Sequence, residues 1–320
     1  MKKPRILITL GDFNGIGPEV TLKALQDEAW REKYTPVLVG ARQILDFYEA
    51  RLGLRVEGSD WELVDALGKR ELPIEPGKAT QLTGWASGEM LKKAVELAKA
   101  GKGQAIVTAP VSKFAMWLAG YRKFPGQTEF LAEQFGVSEF AMVLIAKKFR
   151  VGFVTTHHPI RTVAEKVTFE KIIAVVHAIS GDLKKYFGIS SPKIAVAALN
   201  PHGGEQGELG DEEEKIIRPA LRFLQEENVR VFGPFPSDTL FTNVDAKDFD
   251  AYVAMYHDQG MVAVKMYGFG SAVNFTAGLP VPRTSPDHGT AYHIAGRGLA
   301  RAESMKEAIR LAVQLASQKG

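Results

Sequence analysis

Apolar residues come in short runs along the chain, and the stretches between the runs are longer and more mixed. Arg5–Leu10, Pro36–Gly40, Gln104–Thr108, Ala141–Ala146, Val151–Thr155, Lys193–Leu199, Val229–Phe232 and Asp250–Tyr256 have strand length and a β-branched, aliphatic character. Helices are predicted between them: from Pro18, over Arg42–Arg51, over Ser87–Ala100, opening at Gly126–Glu129, from the cap Thr168 to Phe187, from the acidic run Asp211–Glu214, and over Glu303–Gln318. Pro18 suits a first helical position and Gly101 a helix end. The polar turn Lys147–Arg150 predicts an antiparallel pair, and residues 65–84 read as an irregular connection. Strand and helix otherwise alternate, which predicts a mostly parallel α/β architecture.

One stretch gathers the polar chemistry. Tyr256–Gly298 holds His257, His288 and His293, three of the seven histidines, among closely spaced glycines. Two other loops resemble it in composition, Thr155–Pro159 and Asn200–Gly210. His157, His202 and His257 each follow an apolar strand. Parallel strands in an α/β sheet end along one edge, so these three imidazoles are expected to meet. Three neutral imidazoles suit a catalytic, zinc-like divalent cation that keeps a position open for substrate. Lys265, Asn274 and Arg283 follow within the same stretch and, with Thr128, form a candidate pocket for phosphate or carboxylate. Gly15 and Gly17 lie in a strand–turn–helix opening, which serves equally as a ligand contact or as a tight turn. Ser112 and Lys113 follow the strand Gln104–Thr108; they are site candidates or, more plainly, a helix cap and a solvated lysine. Ser237–Thr239 is expected in a loop. His177, between Val176 and Ala178, is read as a core or rim histidine.

Composition narrows the chemistry. The 320 residues suffice for two α/β domains or one large one. There are no cysteines, which removes disulfides, thiolate catalysis and Cys-ligated metals, so a metal site must use His and carboxylates. A formal net charge of +3 gives no reason to expect nucleic acid or membrane as a partner. No stretch reaches a membrane span, and the apolar run after Met1 is too short for a signal segment, so a cytoplasmic protein is expected.

The motifs GDFNGIGPE, TAPVSK, GQTEFLA, VTTHHP, NPHGGEQGELGDEE, PSDT, YHDQGMVAVK and NFTAGLPVPRTSPDHGTAYHIAG, spread over residues 11 to 298, resemble the 4-hydroxythreonine-4-phosphate dehydrogenases of pyridoxal phosphate biosynthesis. The resemblance implies an isocitrate/isopropylmalate dehydrogenase-like fold: two α/β domains with a central cleft, working as a homodimer with a shared active site. The expected division is 1–125 plus 280–320 on the cofactor side, with 126–279 carrying metal ligands and dimer contacts. It implies one divalent ion (Zn, Co or Mg) on His157, His202 and His257, with ligands drawn from both subunits. Substrate contacts fall to Gln127, Thr128, Lys265, Asn274 and Arg283, and cofactor contacts to Gly15, Gly17, His288, Gly289 and His293. The implied reaction is NAD(P)-dependent oxidation of a secondary hydroxyl, followed by decarboxylation. Asp238 and Asp258 are the two candidates for the base.

The chain also departs from that pattern. Gln127 stands where the family has His, and Phe13–Asn14 replaces Pro–Ala. His293 stands where an acidic residue marks NAD preference in the wider superfamily, which leaves NAD and NADP open. Sibling dehydrogenases of 4-phosphothreonate or 4-phosphoerythronate share the same expected anchors. A metal-dependent hydrolase or lyase would need a carboxylate motif paired with a histidine, and none is found.

Overall fold

The computed structural model describes residues 3–56, 60–122, 126–246, 248–268 and 270–318. The chain divides into two compact units, Met1–Val137 with Leu279–Gly320, and Ser138–Gly278.

In the first unit, the described residues form strands β1 (Arg5–Thr9), β2 (Thr35–Gly40), β3 (Glu62–Asp65), β4 (Ala105–Thr108) and β11 (Arg283–Pro286). They are ordered β3-β2-β1-β4-β11 and every neighbouring pair is parallel. Ile6, Leu7, Ile8, Val37, Leu38 and Val39 have no exposed surface. Burial on both faces is what a parallel sheet covered by helices requires, and it explains why these strands read as unbroken apolar runs. The helix predicted from Ser87 begins earlier, at Gln81. Thr80 and Thr83 bond reciprocally across its first turn, satisfying donors that an apolar pattern does not reveal. Strand β3 and the helix start therefore both fall in or near the segment read as irregular.

The first turn is tightly held. Asp12 is fully buried; it accepts from Tyr292 Oη at 2.7 Å and from Asn14 N at 3.0 Å. Tyr48 Oη donates to Phe13 O at 2.8 Å, and Ile16 N to Thr290 O at 3.0 Å. A Cβ on Gly15 would lie 2.9 Å from Thr290 Cβ, so this close approach requires glycine. Helix Gly17–Ala24 then starts, with Pro18 in its first turn.

The second unit carries β5 (Ala141–Ala146), β6 (Phe149–Phe153), β7 (Ile194–Ala197), β8 (Val231–Phe235), β9 (Ala251–Ala254) and β10 (Val273–Ala277). Their order is β10-β5-β6-β9-β7-β8. The β5–β6 pair is the antiparallel hairpin predicted from its polar turn, and β10 runs antiparallel to β5. From β6 onward every pairing is parallel. The carboxyl ends of β6, β9, β7 and β8 consequently lie along one edge. Phe149, Val151, Phe153, Tyr252 and Ala254 form the core beneath them. Thr168 caps helix Phe169–Tyr186 as expected. His177 within it is partly exposed and pairs with Glu227 at 2.8 Å. Ser237–Leu240 is a short helix rather than a loop. Among the described residues no helix is long and apolar enough to cross a membrane.

One buried acid holds the loop after β7. Glu213 is 1% exposed and accepts from Leu199 N at 2.8 Å, Asn200 N at 2.7 Å and Asn200 Nδ2 at 2.9 Å. The acidic run here therefore has a specific task at one position as well as complementing a helix start. Glu213→Ala leaves these donors unpaired and should lower unfolding stability by roughly 3 kcal/mol, measured by urea denaturation. A loss below about 0.5 kcal/mol would mean that water replaces the carboxylate.

Candidate active site

Four loops leave the parallel edge of the second unit, and they carry the residues with chemistry. Val154–Thr156 leads from β6 to His157, Met255–Tyr256 from β9 to His257, Ala198–Pro201 from β7 to His202, and Pro236–Ser237 from β8 to Asp238. The structure brings two of the three histidines together: the rings of His157 and His257 lie 5.7 Å apart, tilted by 39°. His257 opens helix His257–Gly268. Its Nδ1 bonds Asp258 Oδ1 at 2.6 Å. A carboxylate only accepts, so Nδ1 is the donor, and in the neutral ring Nε2 keeps a lone pair. That is the arrangement a metal-binding imidazole needs from its outer partner.

His202 does not join this pair. It sits in a turn where His202, Gly203, Gly204, Glu205 and Gln206 all have left-handed backbone angles, with φ of 53° at His202 and 42° at Glu205. Non-glycine residues meet a steric cost in that region. Among the described residues no group of three His, Asp or Glu side chains is gathered tightly enough to hold a metal ion. The donor chemistry of His157 and His257 fits a divalent cation.

The two candidate bases differ in their surroundings. Both line a cavity of about 810 Å³, with Tyr256, Gln259, Phe241 and Met266 among its other walls. Asp258 has one oxygen engaged by His257, whereas among the described residues Asp238 accepts only from the neighbouring Thr239 N, at 3.0 Å. Lys265 is exposed on helix His257–Gly268. Asn274 lies on β10 with its Oδ1 buried and unbonded.

The other predicted anion contacts lie in the first unit. Arg283 opens β11 and is 1% exposed. Its Nη2 donates to Thr108 Oγ1 at 2.5 Å and to Gln127 Oε1 at 3.2 Å; Nε donates to Thr108 at 3.1 Å and Nη1 to Thr128 Oγ1 at 3.4 Å. Burial pushes the guanidinium down to about 9, and the charge of Glu129 works against that. It is still a cation at neutral pH, held by uncharged oxygens, and a bound anion would compensate its desolvation. Thr108 was not among the residues singled out from sequence; its place at the end of β4, beside β11, was the available signal. Ser112 Oγ accepts from Ala115 N at 3.1 Å, the plain capping role.

The cofactor candidates Gly15, Gly17, His288, Gly289 and His293 also belong to the first unit. The Ile16–Thr290 bond brings the first turn against the 288–290 segment. His288 Nδ1 donates to Gly289 O at 3.1 Å, which leaves its Nε2 as a buried acceptor with no bond. His293 is exposed in a short turn.

The chain is similar to known proteins over most of its length. A family model described as pyridoxal phosphate biosynthetic protein PdxA matches residues 32–312. A 4-hydroxythreonine-4-phosphate dehydrogenase of Sulfurihydrogenibium sp. (strain YO3AOP1) is 40% identical, over 97% of this chain and 98% of that protein. An Oceanobacillus iheyensis protein with a provisional name, D-threonate 4-phosphate dehydrogenase, is 41% identical over 99% of both chains. The crystal structure of a 4-hydroxythreonine-4-phosphate dehydrogenase from Klebsiella pneumoniae superposes with a TM-score of 0.89 at 37% identity, covering 98% of this chain and all of that one (100%).

The Gln127–Arg283 bond has a measurable consequence. An imidazole placed by Gln127→His would face the buried guanidinium, and a nearby like charge disfavours the protonated ring. Its pKa, followed by NMR of the new histidine, should lie below the ordinary value of about 6.5. A value at or above that would mean the ring turns away from Arg283.

Proposed function

The chain belongs to the PdxA family of pyridoxal phosphate biosynthetic proteins, and from that premise we propose that it is a metal-dependent, NAD(P)-linked 4-hydroxythreonine-4-phosphate dehydrogenase. The substrate is 4-(phosphooxy)-L-threonine, oxidised at its secondary hydroxyl. The product, 2-amino-3-oxo-4-(phosphooxy)butanoate, is a β-keto acid and loses carbon dioxide to give 3-amino-2-oxopropyl phosphate. The observation that carries this reading is the pair His157 and His257, side by side, with Nδ1 of His257 bound to Asp258.

His157, His257 and His202 are the metal ligands in this reading. When bound, a divalent cation supplies Lewis acidity that lowers the pKa of the reacting hydroxyl and stabilises negative charge during decarboxylation. NAD, or NADP, would accept the hydride, and Gly15 and Gly17 of the first turn with His288, Gly289 and His293 would hold it. Arg283, Thr128 and Gln127, with Lys265 and Asn274, hold the phosphate. Asp238 takes the hydroxyl proton, because its carboxylate is exposed and otherwise bonded only to a backbone N–H. Asp258 orients His257 instead. A homodimer with a shared site accounts for the split triad: a second chain can contribute imidazoles that one chain does not gather alone.

A sibling activity on 4-phosphothreonate or 4-phosphoerythronate is the second reading, favoured by the Oceanobacillus relative's name. Both readings are tested by incubating the protein with Co²⁺ or Zn²⁺, NAD or NADP, and a panel of phosphorylated hydroxy acids, while following absorbance of the reduced nicotinamide. Phosphorylated hydroxythreonine should give the fastest signal, abolished by a chelator. Failure of every substrate overturns the dehydrogenase assignment; a faster threonate or erythronate selects the sibling.

Variants separate the roles. Arg283→Met should raise the apparent KM roughly 10- to 200-fold, since a hydrogen bond to a charged group contributes about 1.5–3 kcal/mol. Asp238→Asn should lower kcat with metal affinity intact, whereas Asp258→Asn should weaken metal binding about 10- to 100-fold. The reverse pattern would exchange the two assignments. Mixed His157→Ala and His202→Ala proteins should regain activity through hybrid dimers, and a fully active monomer by light scattering excludes the shared site.

A further inference from the structure

Beyond the last ladder bonds of a parallel sheet, nothing in the strands themselves keeps the outgoing loops in register. In the second unit one amide does this for three of them. Gln259 lies in the first turn of helix His257–Gly268. Its Oε1 accepts from Met255 N at 2.6 Å, two residues before His257. Its Nε2 donates to Ala198 O at 2.7 Å, at the root of the loop to His202, and to Ser237 Oγ at 2.6 Å, next to Asp238. Ser237 Oγ lies 3.4 Å from the same Ala198 O and closes the triangle. The fourth loop joins through Met255, whose O accepts from Thr155 N at 3.1 Å and Thr155 Oγ1 at 2.7 Å, two residues before His157. Both backbone polar groups of Met255 are thereby committed, one to each side.

We propose that Gln259 is a positioning residue for the metal site, setting the spacing of the loops that carry His202, His257 and Asp238. The inference rests on the metal reading above, and Gln259 itself is not a ligand. The residue type follows from the bonding: one planar group must supply an acceptor for Met255 and two donors for Ala198 and Ser237, which a primary amide does and a carboxylate or thioether does not. Its position in the first helical turn ties the orientation of His257 to the same three contacts.

The test is a Co²⁺ titration of the full chain, read by visible absorption, alongside thermal unfolding of the metal-free protein. Gln259→Met keeps the side-chain length and removes all three bonds. It should bind Co²⁺ about 10- to 100-fold more weakly, the usual effect of losing an outer-shell partner, while the metal-free protein still folds cooperatively. Gln259→Glu keeps the Met255 bond and loses both donors; it should weaken Co²⁺ binding in the same direction, and it decides the matter if the Met variant does not fold. A folded variant that binds Co²⁺ as tightly as wild type, with the same absorption band, overturns the inference alone. A wild type with no saturable Co²⁺ binding overturns the metal reading and this inference with it.

Discussion

Parallel pairing is the constraint on which the chemistry of the second unit depends. Once β6, β9, β7 and β8 run the same way, their carboxyl ends share an edge, and whatever follows them in sequence is delivered to that edge. Segments far apart along the chain then supply His157, His257, His202 and Asp238 to one region. The hairpin β5–β6 and the strand β10 run antiparallel and flank this set. This edge thus begins where the pairing changes direction.

Parallel pairing delivers the loops without orienting their side chains, and orientation is set by polar contacts that use little of the core. Asp258 fixes the ring of His257, Thr155 and Gln259 pin the two backbone groups of Met255, and Glu213 holds the donors at Leu199 and Asn200. The bonds at Met255, Leu199 and Asn200 are buried or half-buried, and losing one leaves a group unpaired. The turn at His202 is the exception. Its left-handed run is anchored at its root by Glu213 and strained at its tip.

The first unit solves a different problem. Arg283 is a cation with almost no solvent exposure, surrounded by the oxygens of Thr108, Thr128 and Gln127. These acceptors satisfy its geometry, and the charge of Glu129 opposes the effect of its burial. The Asp12–Tyr292 bond similarly draws the first turn and the 288–292 segment into one unit, and burial raises the Asp12 carboxyl above its ordinary range.

Much of this was readable from residues alone. The eight apolar runs each coincide with all or part of an observed strand, because two-faced burial leaves a plain signature in composition. Pro18, Ser112 and Thr168 marked helix starts through local bonding and fixed backbone angles, which need no distant partner. Local signals failed where polar groups did the work, as at the Thr80–Thr83 capping pair, the short helix at Ser237 and strand β3. The histidines at strand ends were visible in the sequence, and so was the choice of His, Arg, Lys and Asn as chemistry. Tertiary structure decided which of them meet: that His157 and His257 are neighbours while His202 stands apart, that Asp258 serves His257, that Thr108 receives Arg283, and that Gln259 binds three loop roots at once. Spacing in sequence cannot encode those relations, because they arise only when strands distant in the chain pair in register and bring their ends within hydrogen-bond reach.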